Sequence, residues 1–360
     1  MSLCALKRRC WDIARYPVPP GSLNLPAMPW LFAGVSGLKV HPMANFDTLV
    51  LPELCDSTAE QIGTSVLAYC IGGISFGMNS SDDTPLTLDP SLHDFAVNPF
   101  LSEVCDVNMC VSVVDNLPSP VRSPLFHSGG LWSLFEARLD GCEGYRLNFQ
   151  RNLPGELPYK SVWFDRNFES GHLLLSRRFF PEDLPVYPLE YPLDEVLMIH
   201  RLACGYGLEV HAVGLVDEIG RGHLFLGHSG AGKSTTARLW LDQRGVQILS
   251  DDRIILRAHG DKIFMYGTPW HGDAGISSPD CVAVTNIYFL EQYRHNEIVP
   301  LAPGVAAAEL FARSFVPRHC AQGLEFSLSF MERVTRQIPC NIFRFLPEPS
   351  AVEAIRCARD

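Results

Sequence analysis

The chain has 360 residues, of which 47% are hydrophobic, and a net charge of −11 from 29 basic and 40 acidic side chains. This length is sufficient for two domains, and the composition is typical of a globular protein. Nucleic-acid binding depends largely on neutralising phosphates, and the chain has no dense basic tract beyond Lys7-Arg8-Arg9. The acidic balance therefore argues against a nucleic-acid partner.

A membrane partner is not expected either. The most apolar stretch, residues 65–78, is interrupted by three glycines and falls short of the roughly 20 residues of a membrane-spanning helix. The first residues lack the apolar segment of a secretory signal, so the sequence predicts a cytoplasmic protein. The 12 cysteines have no zinc-binding spacing and are predicted to be reduced and mostly packed as small apolar residues, with a disulfide framework as the weaker alternative.

The first half of the chain predicts an irregular arm and a mostly β lobe. Residues 1–40 are rich in proline and glycine, and the lobe is predicted over residues 41–185. Within it, Ser57 and Glu60 form a capping-box pattern that predicts a helix from Ser57 to Ala68. From about residue 100 to 180, short apolar segments recur at roughly ten-residue spacing, with Asp140-Gly141 as a hairpin turn. This pattern predicts an antiparallel meander.

A proline-rich link over residues 181–192 marks the predicted domain boundary, because proline fits neither a helix interior nor a central strand. The second domain is predicted over residues 190–360. Its predicted helices are Leu193–Ala203, Thr235–Leu241, Ala306–Phe315 and a last one that begins at Ser350, where Ser350 and Glu353 form a second capping box. Its predicted strands are Leu208–Val216, Gly222–Leu226, Val246–Leu249, Ile254–Leu256, Ile263–Tyr266 and Val282–Leu290.

The segment Gly227-His228-Ser229-Gly230-Ala231-Gly232-Lys233-Ser234 matches the phosphate-loop pattern G-x-x-x-x-G-K-[ST] between a strand and a helix. Its glycines allow backbone N–H groups to turn toward one point, and the helix N-terminus adds partial positive charge. Lys233 can reach the outer phosphates of a nucleotide, and the Ser234 hydroxyl can ligate Mg²⁺. The predicted nucleotide contacts are Gly227, Ser229, Gly230, Ala231, Gly232, Lys233, Ser234 and Thr235.

A carboxylate pair follows the loop. Asp251 lies 18 positions after Lys233, at the end of the next predicted strand, and Asp252 is adjacent to it. One carboxylate can hold the Mg²⁺ that bridges the phosphates, and the other can take a proton from an attacking hydroxyl, as phosphoryl transfer requires. His211 lies on the strand before the loop strand and can reach the same end of the sheet, although a single strand histidine is commonly a packed residue.

The region from about residue 191 to 315 resembles the HPr serine kinase family, which shares its nucleotide core with phosphoenolpyruvate carboxykinases. The resemblance rests on Val210–Val216, the loop Gly227–Ser234 and Leu249–Arg253. The chain is also similar to the HPr-kinase-related proteins found beside bacterial peptide-modification genes. That similarity rests on Tyr191-Pro192-Leu193-Asp194-Glu195 and on Gly267-Thr268-Pro269-Trp270.

This resemblance implies an α/β fold with a P-loop nucleotide domain of the HPr kinase/carboxykinase type, preceded by the mostly β lobe. It implies a kinase that uses ATP and Mg²⁺ to phosphorylate a serine hydroxyl of a peptide or small protein. In that family pattern, Asp251 is the general base, Asp252 and Ser234 are metal ligands, and His211 lies beside the base.

Thr235 stands where the bifunctional family members carry glutamate, and their Arg-Gly-Leu-Gly-Ile-type segment has no counterpart here. Phosphorylase activity and HPr itself as the substrate are therefore not carried over. Two other classes remain open: a small-molecule kinase or carboxykinase-like enzyme, and a nucleotide-binding sensor without transfer activity. An exchange of roles between Asp251 and Asp252 also stays open, as does a homo-oligomer.

Overall fold

The computed structural model describes residues 47–49, 66–82, 84–97, 105–119, 123–150, 157–180 and 184–358. Within these ranges the protein is mixed α/β, with two large mixed sheets and few helices. The predicted α/β class is confirmed at this level. The predicted arm over residues 1–40 lies outside the described residues, and the predicted domain boundary stays a prediction.

The first sheet contains the predicted meander. Its strands are β1 (Asp47–Leu49), β2 (Val66–Ile71), β3 (Ile74–Ser80), β4 (Val107–Val114), β5 (Phe126–His127), β6 (Trp132–Leu139), β7 (Cys142–Phe149), β8 (Lys160–Asp165) and β9 (Ser170–Ser176). Their order is β1-β6-β7-β8-β9-β4-β3-β2, with β5 paired to β6. Strands β6 to β9 are antiparallel as predicted, but β4 runs parallel to both β3 and β9. A 3₁₀ helix, Pro90–Phe95, lies between β3 and β4.

Two tight turns explain one confirmed prediction and one wrong prediction in this sheet. Asp140 and Gly141 both have positive φ, as a two-residue hairpin requires, and they join β6 to β7 as predicted. Gly72 and Gly73, with φ of 59° and 71°, close a second hairpin between β2 and β3. Because β2 begins at Val66, the helix predicted to end at Ala68 is wrong there, and residues 57–65 lie outside the described residues.

The second sheet closes on itself. Its strands are β10 (Leu208–Val216), β11 (Gly222–Leu226), β12 (Gln247–Ser250), β13 (Arg253–His259), β14 (Lys262–Gly267), β15 (Cys281–Gln292), β16 (Glu297–Pro300), β17 (Ser314–Phe315) and β18 (Cys340–Phe345). The pairing path β11-β10-β13-β14-β15 returns to β11, because β15 also pairs with β11. Strands β18 and β16 extend the sheet beyond β15, and β12 and β17 pair with β10.

Helices cover both faces of this sheet. They are α1 (Leu193–Arg201, continued by a π-helical turn over Leu202–Tyr206), α2 (Lys233–Leu241), α3 (Pro303–Phe311), α4 (Ala321–Gln337) and α5 (Ser350–Cys357). Trp240 of α2 and Ile355 of α5 belong to one apolar layer, and Leu310 of α3 and Val334 of α4 belong to the layer on the other face. A third apolar layer joins the first sheet to α1 and to Ile255 of β13.

One predicted helix and one predicted helix cap differ from the structure for identifiable reasons. Helix α3 begins earlier than predicted, with Pro303 in its first turn, and it ends at Phe311 because Ser314–Phe315 pairs with β10 instead. Helix α5 begins at Ser350 as predicted, but the predicted capping box does not form, since Pro349 holds the cap position. The Ser350 hydroxyl instead accepts a hydrogen bond from the Asn296 side chain at 3.0 Å. Helix α4 and strand β18 were not predicted.

The thiols and the helix lengths bear on two further predictions. Eight of the described cysteines are free, whereas Cys281 at the start of β15 is disulfide-bonded, so the prediction of reduced cysteines is wrong for this residue. Sequence spacing does not reveal which sulfur atoms the fold brings together. Within the described ranges, no helix is both long and apolar enough to cross a membrane.

A buried histidine contact connects the first sheet to the helices of the second. The Nε2 atoms of His200 and His319 lie 3.2 Å apart, and His200 Nδ1 donates to the Val196 carbonyl at 2.6 Å. The His200 ring lies 4.7 Å from the ring of Phe168, and the His319 ring lies 5.8 Å from that of Phe126. Burial, with the charge of His319 as a smaller cause, lowers the pKa of His200 to about 4.

This titration predicts that acid weakens the fold. An unfolded histidine has a pKa of about 6.5, so at pH values between about 4 and about 6.5 the unfolded chain binds a proton that folded His200 does not. The free energy of unfolding therefore decreases as the pH falls through this window, by up to about 3 kcal/mol from this residue. Denaturant titrations between pH 4 and 7 measure the slope. His200→Gln should flatten it and the exposed control His93→Gln should not; equal slopes in both variants would contradict the assignment.

Candidate functional site

The pairing of β10 brings the phosphate loop to His211. Along one edge of β10, β11 ends opposite Ala212 and β17 lies opposite Val210. His211 faces the gap between these two strands, and its backbone N–H donates to the Arg313 carbonyl at 2.8 Å. The chain leaves β11 at this gap and enters the loop, so His211 lies at the base of the loop.

The other edge of β10 brings the aspartate pair to the same point. Strand β12 ends with Ser250 opposite Gly214, and β13 begins with Arg253 opposite His211. Asp251 and Asp252 form the two-residue break between these strands. The Asp252 carbonyl accepts the backbone N–H of residue 212 at 3.1 Å, which fixes the break against β10.

The loop is shaped by glycines and by the strands beneath it. Gly230 and Gly232 have φ of 80° and 106°, in the left-handed region that favours glycine. A Cβ atom at Gly232 would lie 2.5 Å from Cζ of Phe345, so the loop packs directly on β18. The Gln292 side chain at the end of β15 donates to the Gly230 carbonyl at 3.1 Å. These contacts hold the loop at the N-terminus of α2.

Lys233 is the first residue of α2, and its side chain is buried. Its Nζ donates to the carbonyl oxygens of Gly227 at 2.8 Å and His228 at 3.2 Å. Burial lowers the pKa of Lys233, and the negative charge of Asp252 opposes that shift. The loop therefore holds the ammonium group, and the negative charge of Asp252 stabilises its positive charge.

Asp252 is the more accessible of the two aspartates. Its Oδ1 accepts from His211 Nε2 at 2.8 Å, and its Oδ2 accepts from Arg253. About a quarter of the Asp252 side chain, 27%, is exposed. Burial raises the pKa of Asp252, but the hydrogen bond from His211 and the charges of Arg253 and Lys233 hold it below its ordinary value.

Asp251 has a different environment. It is 2% exposed, and its carboxylate accepts the backbone N–H groups of Gly272 at 2.9 Å, Ala274 at 2.9 Å and Ile276 at 3.3 Å. A Cβ atom at Gly272 would lie 2.9 Å from Asp251 Oδ2, so glycine permits this approach. Asp251 thus fixes the loop that follows β14, and His211 contacts Asp252 rather than Asp251, the expected base.

Arg253 lies among three carboxylates. Its Nε is 2.6 Å from Oε1 of Glu195 and 3.5 Å from Oε1 of Glu209, and it also donates to Asp252. The guanidinium lies 4.4 Å from the centre of the Phe315 ring. These contacts leave the guanidinium little freedom, and they place one cation beside Asp252.

Arg313 is a candidate residue that sequence reasoning missed. It is buried, it donates to the carbonyl and the carboxylate of Glu309 at 2.8 and 2.5 Å, and its guanidinium lies 5.5 Å from the Phe289 ring centre. Its Nε is buried with no hydrogen-bond partner among the described residues, and its charge contributes to lowering the pKa of Lys233. The sequence predicted a helix through Phe315, which gave no reason to place Arg313 at the site. The pairing of β17 with β10 brings Arg313 there.

The structure therefore brings the predicted residues Lys233, Asp252 and His211 together, with Arg253 and Arg313 beside them. His228, Ser229 and Gly230 are exposed on the loop, and Ala231, Gly232, Ser234 and Thr235 are partly exposed where α2 begins. Within the described residues, no group of three or more His, Cys, Asp or Glu side chains is arranged to hold a metal ion. Cations, loop amides and one accessible carboxylate can bind an anion and accept a proton beside it.

Comparison with known proteins adds no family. No family model matches the chain, and no curated protein matches it. The choice among the predicted functions therefore depends on the geometry of the loop, the aspartates and the surrounding cations.

The packing of the loop on β18 predicts different costs for two glycine substitutions. Gly230→Ala adds a left-handed alanine with open space around its Cβ, which should cost about 1 kcal/mol. Gly232→Ala adds the same backbone strain and a clash with Phe345, so it should cost about 3 kcal/mol. Urea unfolding of both variants measures the difference. Equal losses would show that Phe345 does not support the loop.

Proposed function

We propose that the chain binds ATP and transfers its outer phosphoryl group to a hydroxyl, that of a serine on a peptide or small protein. The domain around α2 would then be a P-loop nucleotide domain of the HPr kinase/carboxykinase type, and ATP use suits a cytoplasmic protein. One observation supports this proposal most. An accessible carboxylate, Asp252, is hydrogen-bonded to His211 and faces the buried Lys233 of the phosphate loop. A site that only binds a nucleotide needs the loop and the lysine but not this carboxylate.

The loop and α2 would hold the phosphates. Backbone N–H groups at the N-terminus of α2 favour an anion, and Lys233 adds a full charge beside them. The charge of Arg313, which acts on Lys233, would add to the positive charge around the phosphates. Together these groups would neutralise the negative charge of the outer phosphates, which is the main task of the protein in phosphoryl transfer.

Asp252 is the better candidate for the base. Its carboxylate is partly exposed, whereas both oxygens of Asp251 accept backbone N–H groups within the protein. The sequence predicted Asp251 as the base, whereas the geometry favours Asp252 in that role. His211 would hold the Asp252 carboxylate in place and stabilise its charge before the acceptor hydroxyl loses its proton.

Mg²⁺ would accompany the nucleotide. When bound, Mg²⁺ would neutralise part of the negative charge of the outer phosphates. Ser234 is partly exposed at the start of α2 and offers a hydroxyl ligand to such an ion. In the assignment that the sequence predicted, Asp252 would be the carboxylate ligand instead, and the variants described below distinguish these two roles.

Removal of the lysine charge should weaken nucleotide binding. Lys233→Ala should lower ATP affinity about 10- to 100-fold, because hydrogen bonds to charged groups are among the strongest that a protein makes. Lys262→Ala is the matched control, since Lys262 is exposed on the β13–β14 hairpin. Calorimetry with Mg²⁺ and ATP measures both variants. Equal affinity in wild type and Lys233→Ala would exclude the phosphate-loop assignment.

The two aspartates should fail in different ways. Asp252→Asn should lower phosphate transfer by about 10²- to 10⁴-fold, the usual effect of removing a general base, with ATP affinity nearly unchanged. Asp251→Asn should instead lower the free energy of unfolding by about 1–3 kcal/mol, because one of its oxygens becomes a donor facing buried N–H groups. The assay is phosphate transfer to a serine-containing peptide encoded beside the gene, with urea unfolding in parallel.

Three results would change the assignment. Full transfer activity in Asp252→Asn would return the role of base to Asp251. A raised Mg²⁺ requirement in Asp252→Asn would make Asp252 a metal ligand. A wild-type protein that binds ATP but transfers phosphate to no offered hydroxyl would favour the nucleotide-binding sensor.

A further inference from the structure

We infer that two consecutive carboxylates in the first turn of α1, Asp194 and Glu195, are positioning residues that place the two site aspartates, one each. Asp194 acts on Asp251 through the loop that begins at Trp270, and Glu195 acts on Asp252 through Arg253. These contacts exist whether or not the protein has an activity. Only their effect on the rate of phosphate transfer rests on the proposed function.

The first arm of this arrangement is the set of contacts that connects Asp194 to Asp251. Oδ2 of Asp194 accepts the indole N–H of Trp270 at 2.9 Å, and its Oδ1 accepts the backbone N–H of Glu195 at 2.8 Å. Trp270 is the first residue of the segment 270–276, and backbone N–H groups of this segment bind the Asp251 carboxylate. A fixed indole therefore fixes the start of the segment that encloses Asp251.

The second arm begins at Glu195. Its carboxylate accepts from Arg253 Nε at 2.6 Å, and the same guanidinium donates to Oδ2 of Asp252. The ring of Phe315 covers one face of the guanidinium. Arg253 is thus held from both ends, so Glu195 determines how the guanidinium is presented to Asp252.

Glu209 is the third carboxylate beside Arg253. It is completely buried on β10, and neither of its carboxylate oxygens has a hydrogen-bond partner among the described residues. Burial, reinforced by the charge of Glu195, raises the pKa of Glu209 well above its ordinary value. The Oε1 atom of Glu209 lies 3.5 Å from Arg253 Nε, so Glu209 lines the guanidinium from β10.

The turn itself is anchored to the first sheet. Lys160 of β8 is completely buried, donates to the Glu190 carbonyl at 3.1 Å and lies 3.7 Å from the Glu190 carboxylate. Its charge partly opposes the effect of burial, which raises the pKa of Asp194 to about 6. Burying two adjacent carboxylates is unfavourable unless each has a partner, and here the partners are Trp270, Lys160 and Arg253.

The experiment separates the two arms by readouts that need no substrate. Asp194→Asn and Trp270→Phe should raise amide hydrogen exchange in residues 270–276 about tenfold, as expected for the loss of one buried hydrogen bond. They should leave the Arg253 Nε–H signal in ¹⁵N NMR unchanged. Glu195→Gln should speed the solvent exchange of the Arg253 Nε–H signal and leave amide exchange in residues 270–276 unchanged. The signal is assigned by its loss in Arg253→Lys. Glu332→Gln is the control, because Glu332 pairs with Arg336 on the surface of α4.

Kinetics then test the catalytic consequence. Glu195→Gln should lower kcat about 10- to 100-fold with the KM for ATP within about twofold, since a misplaced base affects the transition state more than binding, whereas Asp194→Asn and Trp270→Phe should lower kcat less. Glu195→Asp, which keeps the charge, should recover part of the loss. Variants that change both exchange readouts, or neither, would overturn the inference. If wild type transfers no phosphate, the proposed function fails, and the exchange readouts still decide whether the two arms exist.

Discussion

The pairing of β10 determines the site more than any other single interaction. One edge of this strand carries the end of β11 and then β17, and the other carries β12 and then β13. The breaks in both edges fall beside residues 211–213. The loop, the aspartate pair and Arg313 therefore meet there although they lie far apart in the sequence. A shift of β10 by one residue would turn His211 to the opposite face and separate it from Asp252. The geometry of the site is therefore a property of strand register.

Desolvation is the second constraint. Lys233, Arg253 and Arg313 are all largely buried, and the carboxylates that face them are Asp252, Glu195 and Glu309. Buried charges of this kind are tolerated only in pairs, and removal of one partner leaves the other uncompensated. This arrangement keeps three cations close to the loop in a protein whose net charge is −11.

Local sequence signals predicted the parts of the molecule that local physics determines. The glycine loop, the Asp140-Gly141 hairpin and most strands of the second sheet follow from turn residues and apolar runs. The different surroundings of Asp251 and Asp252 could not be predicted, because adjacent residues at a strand break point to different neighbours. Arg313 could not be predicted for a similar reason. The alanine-rich run before it predicts a helix, and only the pairing of Ser314–Phe315 with β10 ends that helix earlier.

The contact between Gly232 and Phe345 also has a consequence for the order in which the molecule is completed during synthesis. The support beneath the loop comes from β18, which lies more than a hundred residues later in the chain. A ribosome-bound chain that ends before Cys340 carries the whole loop sequence but lacks the surface on which Gly232 packs. Nascent protein should therefore hold the loop in the conformation described here only after Cys340–Phe345 has emerged from the ribosome, well after the loop itself has been synthesised.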